Sequence, residues 1–130
     1  MSDAVPPGSD LDSVVASLRA DAADINVFFQ VLASKLVDSM PGEVRLEREG
    51  GMFRKDHPVK RITVTAGDDV LEAELRHGII SAQHAHAVRG IRLRTEQLGF
   101  DAWLQRLVEV LSRQSQSSAA ARAALRSLVT

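Results

Sequence analysis

Ile79–Thr95 reads IISAQHAHAVRGIRLRT, and the period of this stretch decides the fold. Ile80, Ala82, His84, His86 and Val88 alternate with Ser81, Gln83, Ala85 and Ala87. A two-residue period is that of a strand, whose successive side chains point to opposite faces. Arg89-Gly90 then supplies a turn, and Ile91-Arg92-Leu93-Arg94 resumes the alternation. The stretch is therefore expected to be two antiparallel strands, with Val88 opposite Ile91 and His86 opposite Leu93.

Two further turn signals extend the sheet upstream. Gly67-Asp68 and His77-Gly78 are both two-residue hairpin candidates. The first places Val64 opposite Leu71, Ile62 opposite Ala73 and Arg61 opposite Glu74. The second places Leu75 opposite Ile80, Ala73 opposite Ala82 and Leu71 opposite His84. All three turns agree on one apolar face, and that agreement specifies register, because a slip of one residue would turn the apolar set to solvent. Val44 and Leu46, alternating with Glu43, Arg45 and Glu47, add an earlier strand. The expectation is an antiparallel meander of four or five strands.

The flanks read as helix. Ser9-Asp10-Leu11-Asp12 is a helix-start signal, and Leu11, Val14, Val15, Leu18, Ala22, Ile25, Phe28, Phe29, Leu32 and Leu36 follow at three- and four-residue spacing. Pro41-Gly42 ends the run. A helix from Ser9 to Ser39 would be ~45 Å long, and the polar cluster Asp21–Asn26 is a place for it to break. After Gly99, with Asp101 as an N-cap candidate, Trp103, Leu104, Leu107, Val108 and Leu111 form a second apolar stripe. SRQSQSS at 112–118 interrupts it, and an alanine-rich helix bearing Leu125, Leu128 and Val129 closes the chain. The fold class expected is α+β: a long N-terminal helix, the meander, and one or two C-terminal helices packed on one sheet face. Residues 1–8 read as a flexible leader and 9–130 as a single domain.

Composition narrows the function classes. The chain of 130 residues carries 16 basic and 17 acidic side chains, a net charge of −1, so no global charge draws it to nucleic acid or an anionic membrane. Six Asp against Arg19 and Lys35 make residues 1–42 acidic, whereas four Arg against two acids make 100–130 basic. The absence of cysteine removes disulfides, thiolate metal sites and thiol nucleophiles. No basic, apolar signal segment opens the chain and no apolar run reaches the ~20 residues of a membrane span. A cytoplasmic location and no membrane association are expected.

Catalytic motifs are missing. There is no Gly-x-Ser-x-Gly elbow, no phosphate loop, no His-Glu-x-x-His and no GxGxxG, so neither an enzyme nor a cofactor is expected. Glu72 and Glu74 share a strand face but fall opposite Thr63 and Arg61, a solvated ion-pair setting. His84 and His86 share a face at a spacing that suits a metal, yet the candidate third ligand, His77, lies in the turn at the other end of the strand, ~20 Å away. Register instead sets Asp69 opposite His86, so a pH-sensitive imidazole–carboxylate pair, His86 with Asp69, is expected and no metal site. Arg92 and Arg94, with Arg89 near them, are expected to face outward. They share that face with glutamates and no aromatic is interleaved, so nucleic acid is an unfavoured partner.

What remains points to a protein partner. Ser81, Gln83, Ala85 and Ala87 would form a flat strip of small, uncharged side chains on the outer face, rimmed by glutamates on one side and Arg92 and Arg94 on the other. Met52 and Phe53, apolar residues in the GGMFRKDHP stretch, are a second candidate contact. The reading is a small non-catalytic interaction domain, an adaptor or chaperone-like subunit, homodimeric, presenting its open sheet face or long helix. The alternatives are a small-molecule or metal-binding pocket between sheet and helices near His84, His86 and Trp103, and a nucleic-acid binder using the arginines.

Overall fold

The computed structural model describes residues 24–50 and 57–129. In chain order these form α1 (Ile25–Ser39), β1 (Val44–Arg48), β2 (Val59–Ala66), β3 (Asp69–Arg76), β4 (Ile79–Val88), β5 (Ile91–Leu98), α2 (Phe100–Gln114) and α3 (Ala119–Val129). The five strands make one antiparallel sheet in the order β1-β2-β3-β4-β5. The fold is α+β, with all three helices on one side.

The turn chemistry accounts for the meander. Gly67 has φ 62°, which places the residue without a Cβ at the position that needs a left-handed backbone. His77 and Gly78 are both left-handed, at φ 53° and 75°, as are Arg89 and Gly90, at φ 55° and 81°. Such turns match the twist of the strands they join. Both upstream hairpins hold the expected pairs: Val64 opposite Leu71, Arg61 opposite Glu74, Ala73 opposite Ala82 and Leu71 opposite His84.

The helices differ from expectation at their starts. Asp24 has an extended backbone and its Oδ1 accepts from the Asn26 N–H at 2.7 Å, so it is the N-cap of α1. A helix continuous from Ser9 to Ser39 is thereby corrected: the helix to Ser39 starts at Ile25 after an extended Asp24, and the expected stretch before Asp24 lies outside the described residues, as does the leader. Gly99, and not Asp101, is the N-cap of α2, and Asp101 sits in the first turn, where its charge favours the helix dipole. Residues 115–118 separate α2 from α3, and the Ser118 hydroxyl accepts from the Ala121 N–H at 3.1 Å.

Helix α1 lies over β1 and β2, α2 over β2 to β5, and α3 packs against both helices. Phe29, Leu32, Leu36, Ile62, Val64, Leu71, Trp103, Leu104, Leu107 and Leu111 are buried between sheet and helices. Each large apolar side chain so buried stabilises by roughly 1.5–3 kcal/mol. Phe28 meets Phe100 edge-on at 5.7 Å, and Phe100 stacks on Trp103 at 5.8 Å, which ties α1 to α2. Gln30 of α1 binds the sheet directly. Its Nε2 donates to the Val59 carbonyl at 2.8 Å and its Oε1 accepts from the Val59 N–H at 2.7 Å. The pairing of β2 with β3 begins only at Arg61, so the Gln30 amide takes the place of a strand at Val59.

Candidate functional site

One irregularity between β4 and β5 decides which β5 side chains reach the site. Val88 pairs with Ile91 and Ala87 with Arg92, but His86 pairs with Arg94, which leaves Leu93 as an extra residue. This is a β-bulge. It corrects the expected pairing of His86 with Leu93 and reverses every side chain beyond it. Arg94, Glu96 and Leu98 now share the helix-packed face with His86, His84 and Ala82, while Thr95 and Gln97 join Ala85 and Gln83 on the open face. The reason is apolar: the slip carries Leu98 onto the core, where it is half-buried. The signal was in the sequence, because Ile91 and Leu93 keep odd phase and Leu98 does not.

Past the edge of the apolar core lies a charged cleft of about 460 Å³ between the sheet and α2, lined by Asp69, His84, His86, Arg106, Glu109 and Arg113, and by Arg94 and Glu96, which the reversal brings to it. His84 is its hinge. Its Nε2 lies 2.7 Å from Asp69 Oδ1, and its Nδ1 lies 2.7 Å from Arg106 Nη1. A guanidinium can only donate, so Nδ1 is the acceptor and the imidazole proton sits on Nε2, donated to Asp69. Arg106 also reaches Glu96 at 3.3 Å, and Arg113 stands 3.8 Å from Asp69. His86 is opposite Asp69 in register, but its Nδ1 is 3.9 Å from the carboxylate and its side chain is 47% exposed. The expected pairing of His86 with Asp69 is present as this 3.9 Å contact, while the shorter hydrogen bond of Asp69 runs diagonally to His84. Arg106, Glu109 and Arg113 were missed, although their three- and four-residue spacing beside the α2 apolar stripe places them on one edge of that helix. Among the described residues, no group of three His, Asp or Glu side chains gathers as metal ligands would.

The open face of the sheet carries two rows of joined side chains. In the first, Arg61 reaches Glu47 at 3.1 Å and Glu74 at 3.0 Å, and Arg76 reaches Glu74 at 3.1 Å. The hydrogen bond to Glu74 raises the Arg61 guanidinium further above its ordinary range. Burial pushes the Glu74 carboxyl up, but the hydrogen bonds and charges of Arg61 and Arg76 outweigh it and hold Glu74 below the usual carboxylate range. In the second row, Gln97 Nε2 donates to Gln83 Oε1 at 3.0 Å, and Gln83 Nε2 donates to Glu72 Oε1 at 2.9 Å. The Thr63 hydroxyl completes it at 3.5 Å from Glu72.

These rows change the strip on β4. Ser81 is exposed, Gln83 is committed as a bridge, Ala85 is only 1% exposed among its strand neighbours Val70 and Thr95, and Ala87 is half-buried. The accessible, unbridged small residues of the strip are therefore Ser81 at one end and Ala87 at the other. The arginine row is divided: Arg92 stays with Ala87 on the open side and Arg94 goes to the cleft. Trp103 does not line this cleft; it is fully buried and donates its Nε1–H to the Gln83 carbonyl at 3.2 Å. Met52 and Phe53 lie outside the described residues. Among those described, no helix is long and apolar enough to cross a membrane.

Fold and site together define a helix-backed, five-stranded antiparallel sheet with one open polar face and a charged cleft at its margin. No family model, no curated protein and no solved structure matches the chain.

Proposed function

We propose that this chain is a non-catalytic protein-interaction domain, homodimeric, which presents the open face of its sheet to a protein partner. The observation that carries the reading is the exposed sheet face: among the described residues all three helices lie on the other side, and no element covers this one. The side chains there are held in hydrogen-bonded rows, so a partner would meet an already ordered surface and little side-chain freedom would be lost on docking. The Ala87 end, with Thr65, Val70 and Thr95 near it over the buried Ala85, is where a partner's apolar side chains could approach the sheet most closely.

The test is comparative capture from native lysate. Proteins recovered by the wild-type chain and by Ser117→Arg, a change in the exposed turn between α2 and α3, should be lost with Ala87→Arg. Equal recovery by Ala87→Arg would refute the open-face reading. A second reading, a small charged ligand held in the cleft, is favoured by the two histidines and Arg94 lining it. Phosphate or a dicarboxylate that shifts the His84 and His86 ring resonances at submillimolar concentration would support it, and unmoved resonances would remove it.

A further inference from the structure

The β5 edge carries a self-complementary code, and we infer that two copies of the chain join there, β5 against β5, around a two-fold axis at Thr95. The inference rests on the homodimeric part of the reading above and names its surface. It is independent of what occupies the open face.

Every residue of β5 from Ile91 to Gln97 is exposed, and Ile91 and Leu93 are 65% and 63% so. Among the described residues the strand has one neighbour in the sheet, β4. Its other side is an edge of the kind that natural proteins cover or use. The direction of the backbone groups follows from one bond. The Ala87 N–H donates to the Asp68 carbonyl at 2.7 Å, on the β3 side of β4. Backbone groups alternate sides along a strand, so Ala82, His84 and His86 exchange theirs with Leu98, Glu96 and Arg94. Thr95 and Gln97 then direct their N–H and C=O groups to the open edge.

Side-chain charge selects the register. A two-fold axis normal to the sheet keeps the helix faces together, so it can pair only residues that lie on the same face. With the axis at Thr95, Arg94 of each copy stands opposite Glu96 of the other, twice, and the two Thr95 residues exchange both backbone bonds. With the axis at Arg94, the two arginines oppose each other; with the axis at Glu96, the two glutamates do. Opposite charges directly across an antiparallel pair stabilise and like charges destabilise. Of these three registers only the one centred on Thr95 is favourable. The bulge at Leu93 lies at one end of the segment, and the slip it introduces puts Arg94 and Glu96 on one face with Thr95 between them.

A charge swap tests the pairing, with mass measured by sedimentation equilibrium on the full chain. The wild type should be dimeric. Arg94→Glu and Glu96→Arg should each weaken the dimer about tenfold or more, and the double variant R94E/E96R should restore it. An equimolar mixture of the two single variants should also assemble, because one copy then presents two glutamates directly across from the two arginines of the other. Glu96 also pairs with Arg106 in its own chain; restoration on mixing separates loss of assembly from loss of folding, because a misfolded chain would not regain it.

A wild-type monomer would overturn this inference and the homodimeric reading together. A wild-type dimer that neither single variant weakens would leave the homodimer standing and overturn the β5 pairing. Single variants that dissociate but are rescued neither by the double swap nor by mixing would overturn it as well. A wild-type monomer with exchange-protected Thr95 and Gln97 amides would assign the edge to another segment of the same chain.

Discussion

Gln30→Met should destabilise the domain by about 2 kcal/mol, and the structure says why so much rests on one side chain. The Gln30 amide makes both a donor and an acceptor bond to Val59. Each neutral hydrogen bond contributes a net ~1 kcal/mol, and stranding a desolvated backbone group costs ~1–3 kcal/mol. Val59 is 3% exposed, so water replaces the amide poorly. Methionine is close to glutamine in length and helix propensity, and α1 itself should persist. Trp103, the single tryptophan and fully buried, reports unfolding by fluorescence. With a urea dependence of about 2 kcal/mol per molar, the midpoint should fall by about 1 M. Ser34→Ala, on the exposed side of the same helix, should stay within ~0.5 kcal/mol. A Gln30→Met midpoint within ~0.2 M of wild type would refute the view that this amide serves as a strand partner for β2.

Two further outcomes follow from the side-chain geometry. Arg61→Met should cost about 1 kcal/mol at pH 7, since Arg61 is partly exposed and surface pairs are worth little individually. The Glu74 carboxyl is held below its ordinary range, so its contribution is complete above the unfolded value of about 4.3 and is lost as pH falls through the lower folded value. The gap between wild type and Arg61→Met should therefore narrow between about pH 5 and 3 in urea titrations, and a constant gap would contradict the assignment. For His84, nitrogen-15 NMR of the neutral ring should show the proton on Nε2, as required by donation from Arg106 to Nδ1. A ring protonated on Nδ1 would rule out the Asp69–His84–Arg106 chain.

Much of the architecture was legible because local rules and burial agree on it. The hairpins at Gly67-Asp68 and His77-Gly78 combine a left-handed turn residue with flanking alternation, and turn length then fixes which residues face each other. The break at 115–118 shows in the loss of apolar period between the two C-terminal helices. The start of α2 was misplaced because Asp101 is a good cap by type, while the backbone turns at Gly99. Leu98 marked the slip in β5, yet nothing local says that its burial outweighs an unbroken ladder.

The sequence by itself determined the α+β class, the meander order, the turns and the apolar face, since period and turn chemistry are properties of neighbouring residues. Only the tertiary structure decided the site. The bulge at Leu93 sends Arg94 to the cleft and leaves Arg92 outside. Helix α2 brings Arg106 to His84, 22 residues apart in the chain. The Asp69 hydrogen bond passes to His84 instead of His86 because Arg106 fixes the orientation of the first ring, while the second stands half in solvent. These outcomes depend on which elements meet across the fold, and pairwise spacing along one strand carries no information about a helix packed above it.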